Sequence, residues 1–213
     1  MSEGPRFDAA FQERFLDLLR WRRDVRGFRP DAVAPALLDH LLEAACLAPS
    51  VGLSQPWRFV KVDDPARREA VRANFLACNA DALASQPAGR AGLYARLKLA
   101  GLDQAPCHIA AFADPATQQG HGLGRRTMPE TVAYSAVMAV HTVWLAARAA
   151  GLGLGWVSIL DAARVAEILD VCPGWVFIGY LCLGYPQAHD AVPELERAGW
   201  ERRRAAGPCL LQR

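Results

Sequence analysis

The sequence predicts an α+β fold in which a sheet is covered by long helices. Helical segments outnumber strands, and the strands do not alternate strictly with single crossover helices, as they do in a doubly wound nucleotide-binding fold. The glycine run at residues 151–155 follows a predicted helix and opens a predicted strand, whereas a dinucleotide fingerprint follows a strand and opens a helix. The Rossmann alternative is therefore excluded, and these glycines indicate close backbone packing near a ligand.

The first half of the chain is dominated by helical periodicity. Apolar spacing and turn residues predict a helix over 7–23, a helix over 35–48 that Pro49 ends, a strand over 58–62 and a helix over about 65–83. The Pro- and Gly-containing segment 86–92 interrupts this last helix, and the weakly amphipathic segment 93–102 follows. We expect this middle section to be a mobile lid.

The second half centres on one long apolar segment. The predicted elements are a strand at 107–113, a Gly-rich loop at 120–126, a helix at 131–150, a strand at 156–160, a helix at 161–169 and a buried strand at 175–183. The segment 131–150 is long enough to suggest a membrane span. Ser135, His141 and Arg148 lie within it, however, and a helix start at Pro129-Glu130 precedes it, so we expect a buried central helix.

Composition limits the class of protein. A chain of 213 residues with a net charge of +2 is long enough for one globular domain and has no global field for nucleic acid. The six cysteines form no C-x-x-C pair, and the N-terminus carries no apolar signal core, so we expect a reduced, cytoplasmic protein. The five histidines lack a second ligand at metal-site spacing, so we expect no metal.

A cluster of arginines lies where the first predicted helix ends. Arg22, Arg23 and Arg26 surround Asp24 in the sequence. Guanidinium forks match phosphate oxygens in geometry and charge, so the cluster predicts an anion clamp that contains a carboxylate. The three positive charges favour the ionised form of Asp24, which suits a base better than an acid. The alternative is a solvated, salt-bridged helix end.

A second polar segment, residues 48–57, joins a predicted helix to a predicted strand. It contains Pro49, Ser50, Gly52 and Gln55, so several N–H groups and side-chain donors are left for a partner. The alternative is an ordinary connecting loop.

Three segments together resemble a known family. Arg-Arg-x-x-Arg-x-Phe, Ala-Pro-Ser-x-Gly-x-x-Gln-Pro-Trp and Gly-Leu-Gly before a strand, in this order, resemble the nitroreductase-type flavoproteins over about residues 22–184. The resemblance implies one nitroreductase-like flavin-binding domain over residues 1–213, a three-layer α/β/α sandwich with a long central helix. Two residues depart from the usual pattern: Asp24 replaces a serine, and Ser158 replaces a glycine.

With these departures the chain resembles the flavin-destroying 5,6-dimethylbenzimidazole synthase subfamily. The resemblance implies oxygen-dependent fragmentation of reduced FMN to 5,6-dimethylbenzimidazole, the lower ligand of vitamin B12, and erythrose 4-phosphate. FMN is then a substrate together with O2, in two sites at the interface of a homodimer, and a flavin reductase supplies it in reduced form. No metal, nucleic acid or membrane is implied.

The resemblance also implies roles for individual residues. Asp24 removes a proton from the ribityl carbon, Ser158 orients the flavin or peroxide, and Leu99 in the lid closes over the ring. A tail arginine such as Arg203 reaches the phosphate of the partner subunit, unless the tail is simply solvated. The implied flavin-binding residues are Arg22, Arg23, Asp24, Val25, Arg26, Ser50, Gly52, Gln55, Leu99, Ser158 and Arg203.

Two other functions fit the same segments. One is an NAD(P)H-dependent nitroreductase or flavin reductase, in which FMN stays bound and cycles. The other is a non-enzymatic flavin-binding protein, which has no need of Asp24 or Ser158.

Overall fold

A computed structural model of the protein describes residues 4–97 and 101–204. Within these ranges the helices are α1 (Ala9–Trp21), α2 (Pro35–Ala45), α3 (Pro65–Ala84), α4 (Ala88–Arg96), α5 (Thr131–Ala149), α6 (Ala162–Leu169) and α7 (Glu194–Arg197). The strands are β1 (Trp57–Lys61), β2 (Cys107–Ala113), β3 (Gly153–Val157) and β4 (Val176–Gly184). Val51–Leu53 forms one short 3-10 turn.

The strands form one antiparallel sheet in the order β1-β2-β4-β3. Side chains of its central strands alternate between two cores. On β2, Ile109 and Ala111 pack with helices α2 and α5, whereas Ala110 and Phe112 pack with helices α3 and α6. Because both faces are covered, β2 is buried along its whole length. The α+β class and the α/β/α layering predicted from the sequence are confirmed.

Helix α5 is the long central helix that the sequence predicts. By length and composition it could cross a membrane. One of its faces is instead part of the core that it forms with the sheet and α2. The buried residues of α5 are Val132, Ser135, Ala136, Ala139, Val140, Val143 and Ala147.

Several element boundaries differ from the predicted ones. Helix α1 covers Ala9–Trp21 rather than 7–23, because the Asp8 side chain caps its first turn by accepting from the Phe11 N–H at 2.7 Å. Helix α2 ends at Ala45 rather than at residue 48. The N–H groups of residues 46–48 donate to the carbonyls of residues 43–45, so the chain tightens into a 3-10 turn before Pro49.

The middle and the end of the chain need two more corrections. Helix α4 begins at Ala88, inside the segment predicted as a break, because Pro87 occupies its N-cap and the helix accommodates Gly89 and Gly92. Strand β3 begins at Gly153 and ends at Val157, so it includes the last two glycines of the glycine run and excludes residues 158–160. Pairing with β4 and with the segment that follows α1 overrides the poor strand propensity of glycine.

A buried polar pair lies in the core between the sheet, α3 and α6. The Nε2 atom of His108 lies 3.1 Å from the carbonyl oxygen of Ala105, so it must be the protonated nitrogen. Nδ1 then accepts from the Tyr180 hydroxyl at 3.0 Å. Burial lowers the pKa of His108 to about 4 and raises the pKa of Tyr180. His108 is therefore a neutral core residue.

Candidate functional site

The arginine segment, residues 22–26, lies directly along strand β3. Asp24 forms a parallel bridge with Leu154, and the Val25 N–H donates to the Leu154 carbonyl at 3.1 Å. A Cβ atom at Gly153 would lie 2.7 Å from Val25 Cγ2, and a Cβ atom at Gly155 would collide with the Val25 carbonyl oxygen. The glycines therefore allow this segment to approach the strand, which confirms close backbone packing at the glycine run.

Asp24 uses both carboxylate oxygens. Oδ1 accepts from the backbone N–H of Trp156 at 2.9 Å, and Oδ2 accepts from Arg26 Nε at 3.0 Å. Ser158, which is exposed, follows Trp156 by two residues, a span of at most about 7 Å along the chain. The structure thus brings the two predicted catalytic residues to the same end of β3.

The guanidinium of Arg23 donates hydrogen bonds to three backbone carbonyls. Its Nε donates to the Asp190 carbonyl at 3.0 Å, its Nη1 to the Arg22 carbonyl at 2.6 Å and its Nη2 to the Ala191 carbonyl. These bonds join the segment after α1 to the loop before α7. Arg23 thus has a structural task that the sequence did not reveal, and its predicted contact with FMN stays a prediction.

Arg26 is paired with acids on two sides. Besides its bond to Asp24, its Nη1 lies 3.9 Å from Glu194 Oε2 at the start of α7, and only 11% of its side chain is exposed. The guanidinium therefore links the carboxylate of Asp24 to helix α7.

Arg22 has a different environment. Its guanidinium carbon lies over the ring of Trp144, 4.7 Å from the centroid, and its side chain makes no hydrogen bond or ion pair with any residue that the structure describes. The Trp144 Nε1–H donates to the Arg23 carbonyl at 3.0 Å. Burial lowers the pKa of Arg22, and the neighbouring charge of Arg203 acts in the same direction. An arginine still remains charged at neutral pH.

The arginine segment and the chain after α7 enclose a cavity of about 330 Å³. Arg203 lines it in the same chain as Arg22, and its charge also lowers the pKa of Arg23. Five arginines and four carboxylates line the cavity: Arg22, Arg23, Arg26, Arg202, Arg203, Asp24, Glu194, Glu196 and Glu201. Arg26 and Glu194 also line a second cavity of about 430 Å³, which lies against α3.

The second predicted segment is a strained loop. Gly52, Leu53 and Gln55 have φ angles of +56°, +55° and +40°. Ser50 Oγ accepts from the Gln55 N–H at 3.1 Å, so the Ser50 hydroxyl holds the loop in shape. Left-handed non-glycine residues are found mainly where the surrounding structure enforces them, often at functional sites.

Side chains around this loop hold Gln55 in place. Its amide donates to the Cys46 carbonyl at 3.2 Å and accepts from Gln119 Nε2 at 3.1 Å, and the same Gln119 nitrogen donates to the Leu53 carbonyl at 2.9 Å. The Leu53 side chain remains 70% exposed. The buried Ser54 Oγ has no hydrogen-bond partner among the described residues.

Within one chain the two segments meet different parts of α5. The Val51 N–H donates to Ser135 Oγ at 3.0 Å, near the start of this helix, whereas Trp144 holds the arginine segment near its end. Nine residues of helix separate these contacts by about 13 Å. The predicted residue Leu99 lies outside the described residues.

Sequence reasoning missed Trp144, Gln119 and Glu194. Trp144 had a usable signal, because a tryptophan on the central helix is a candidate to stack on an arginine cluster. Gln119 and Glu194 carried none, because nothing local distinguishes them from other surface residues. Among the described residues, no group of three or more His, Cys, Asp or Glu side chains could hold a metal ion.

Comparison with known proteins gives consistent results. The model of the Nitroreductase family matches residues 19–185. The 5,6-dimethylbenzimidazole synthase of Rhodospirillum rubrum is 56% identical over 204 residues, which cover 96% of this chain and 97% of that protein. The protein of the same name from Rhodobacter capsulatus is 48% identical and covers 92% and 94%. A Desulfovibrio desulfuricans protein, solved with FMN, has a TM-score of 0.65 at 25% identity and covers 100% of this chain and 98% of its own.

Proposed function

The chain belongs to the nitroreductase family, and from this premise we propose that it fragments reduced FMN with O2 to 5,6-dimethylbenzimidazole and erythrose 4-phosphate. The product would be the lower ligand in cobalamin biosynthesis. Relatives of 56% and 48% identity that carry the name of this activity support the proposal. The observation that carries it is the position of Asp24, a carboxylate bound to the Trp156 N–H at the end of the glycine-rich strand β3, which the exposed Ser158 follows.

The residues present fit FMN. The cavity at the arginine segment offers the guanidinium of Arg22, which has no hydrogen-bonding or ion-pair partner among the described residues, and Arg203 adds a second positive charge to the lining. A phosphate group would receive charge-assisted hydrogen bonds from Arg22, because the fork of N–H donors matches its oxygens. The remaining flavin-binding roles, of Val25, Ser50, Gly52, Gln55 and Leu99, belong to the same proposal.

Reduced FMN would supply both the electrons for oxygen and the atoms of the product. Asp24 would accept the proton from the ribityl carbon, and its hydrogen bonds from the Trp156 N–H and from Arg26 Nε would fix the position of the carboxylate. Ser158 would donate a hydrogen bond to the flavin or to the oxygen species, because it is exposed at the end of β3, two residues after the Trp156 N–H that binds Asp24. Arg26 would keep Asp24 oriented, as one guanidinium contacts both Asp24 and Glu194.

We also propose that two copies of the chain assemble the site. No residue of α1 is buried, and its exposed apolar residues are Phe11, Phe15, Leu16 and Trp21. Helix α5 exposes Tyr134, Val137 and Met138, a stripe at helical spacing. Exposed apolar surface of this extent marks an interface. A second copy would bring its residues 50–55 towards the arginine segment, which the same chain does not do.

The proposed setting is the cytoplasm, where a separate flavin reductase would supply reduced FMN. Among the described residues Cys46, Cys78, Cys107, Cys172 and Cys182 are free thiols, which suits a reducing compartment. The proposal includes no metal, nucleic acid or membrane as a partner.

The test is a single-turnover reaction. The purified protein is mixed with chemically reduced FMN, air is admitted, and products are separated and identified by mass spectrometry. We expect 5,6-dimethylbenzimidazole. Intact FMN as the only flavin-derived species would contradict the proposal, and steady turnover of NADPH with FMN still bound would favour a nitroreductase or flavin reductase instead.

A further inference from the structure

We propose that Trp144 is a positioning residue that makes Arg22 the principal phosphate-binding arginine of this site, an inference that rests on the function proposed above. The three arginines of the segment are equivalent in the sequence. Their surroundings in the fold are not, and the difference assigns one task to each.

Arg23 and Arg26 already have partners. Arg23 donates through all three of its nitrogens to backbone carbonyls, and Arg26 contacts Asp24 and Glu194. Moving either guanidinium to a phosphate would break hydrogen bonds or an ion pair that the segment uses. Arg22 has no such bond to any described residue, so a phosphate would not have to displace a partner from it.

Trp144 explains how the Arg22 side chain is held although no described residue hydrogen-bonds to it. The guanidinium carbon lies 4.7 Å from the indole centroid, within the range of a cation–π interaction. Arginine commonly stacks its planar guanidinium on an aromatic ring, and in that arrangement the N–H donors in its plane remain available to an anion. A half-buried cation held in this way is oriented before the ligand arrives.

Two further contacts hold the indole of Trp144 in place. Its Nε1–H donates to the Arg23 carbonyl at 3.0 Å, and its ring lies 6.3 Å from the ring of Trp156. The backbone N–H of Trp156 in turn binds Asp24. One side chain from α5 therefore contacts the arginine segment at two points and packs on the residue that holds the carboxylate.

The experiment compares binding of oxidised FMN and oxidised riboflavin, which differ by the phosphate. Affinities of both are measured by flavin fluorescence for the parent chain, Trp144→Leu and Trp144→Phe. Trp175→Leu is the matched control, because Arg58 lies over the Trp175 ring at 5.9 Å outside the arginine cavity. Circular dichroism checks that each variant is folded.

In Trp144→Leu we expect the preference for FMN over riboflavin to fall about fivefold or more, the usual effect of one cation–π contact. Trp144→Phe keeps an aromatic face and should retain most of the preference, as should Trp175→Leu. In an Arg22→Ala background, Trp144→Leu should change the preference no further.

Equal weakening of both ligands in Trp144→Leu would show a merely structural role and overturn the inference, as would an unchanged preference. A parent chain that binds riboflavin as tightly as FMN would contradict the phosphate clamp of the proposed function, and the inference would fall with it. The two failures are therefore distinguishable.

Discussion

Replacing Asp24 with asparagine should lower product formation by at least about 100-fold while the protein remains folded. The asparagine oxygen can still accept from the Trp156 N–H, but its amide then faces Arg26 Nε, which is also a donor. A hydrogen bond to a charged group contributes about 1.5–3 kcal/mol, and 35% exposure of the Asp24 side chain reduces this to about 1 kcal/mol. The melting temperature should therefore fall by only about 2–4 °C.

Loss of the carboxylate as a base has a much larger effect on the reaction. General base catalysis typically contributes a factor of about 100 to 10,000 in rate, so 5,6-dimethylbenzimidazole should fall at least about 100-fold. Oxidation of reduced FMN by oxygen should continue, because that step needs no base. A loss of about 1 kcal/mol in stability leaves the protein folded, so it cannot account for a loss of product of about 100-fold.

The assay follows flavin oxidation by absorbance and product by mass spectrometry in the same samples. Asp31→Asn is the control, because Asp31 forms an exposed ion pair with Arg29 at 2.9 Å, outside α1 and the arginine cavity. If Asp24→Asn makes product at nearly the parent rate, Asp24 is only a structural partner of Arg26 and the reasoning is wrong.

Three further outcomes are expected. Gly155→Ala should weaken FMN binding and lower stability, because its methyl group would collide with the Val25 carbonyl. Gly89→Ala, which has open space around its Cβ position, should do neither. Equal FMN affinity and equal urea stability in the two variants would contradict this. The pKa of His108 is about 4 when folded and 6.5 when exposed, so the unfolded chain binds the proton first as pH falls. The neutral His108 should therefore contribute about 3 kcal/mol to the free energy of unfolding above pH 6.5, and this contribution should disappear progressively towards pH 4. Urea titrations of His108→Gln at several pH values should lack this dependence of the unfolding free energy on pH. Phe11→Glu should shift the chain from dimer to monomer in sedimentation velocity and weaken FMN binding; an unchanged dimer would exclude α1 from the interface.

The sequence predicted those parts of the fold whose signals are local. Strand β2 has the predicted bounds because its run of apolar residues, broken only by His108, is typical of a strand buried on both faces of a sheet. The start of β3 was not predictable, because its glycines favour turns locally and become a strand only by pairing with β4 and the arginine segment. Helix α4 was not predicted, because two glycines in its nine residues look like a break in the sequence.

The candidate site shows the same division. Residue types identified Arg22, Arg23, Asp24 and Arg26 as a polar cluster, and in the structure all four line one cavity. Their different partners depend on contacts made far along the chain, such as that of Arg23 with the Asp190 carbonyl, 167 residues away. No periodicity or spacing carries such information.

The bridge between Asp24 and Leu154 also has a consequence for solubility. Strand β3 is the last strand on one side of the sheet, and an exposed edge strand is a template on which other chains can pair and aggregate. On that open side of β3, the Leu154 carbonyl accepts from the Val25 N–H, and the Trp156 N–H donates to the Asp24 carboxylate. The segment that we propose for catalysis therefore also protects the sheet, so damage to it endangers the soluble protein as well as the reaction.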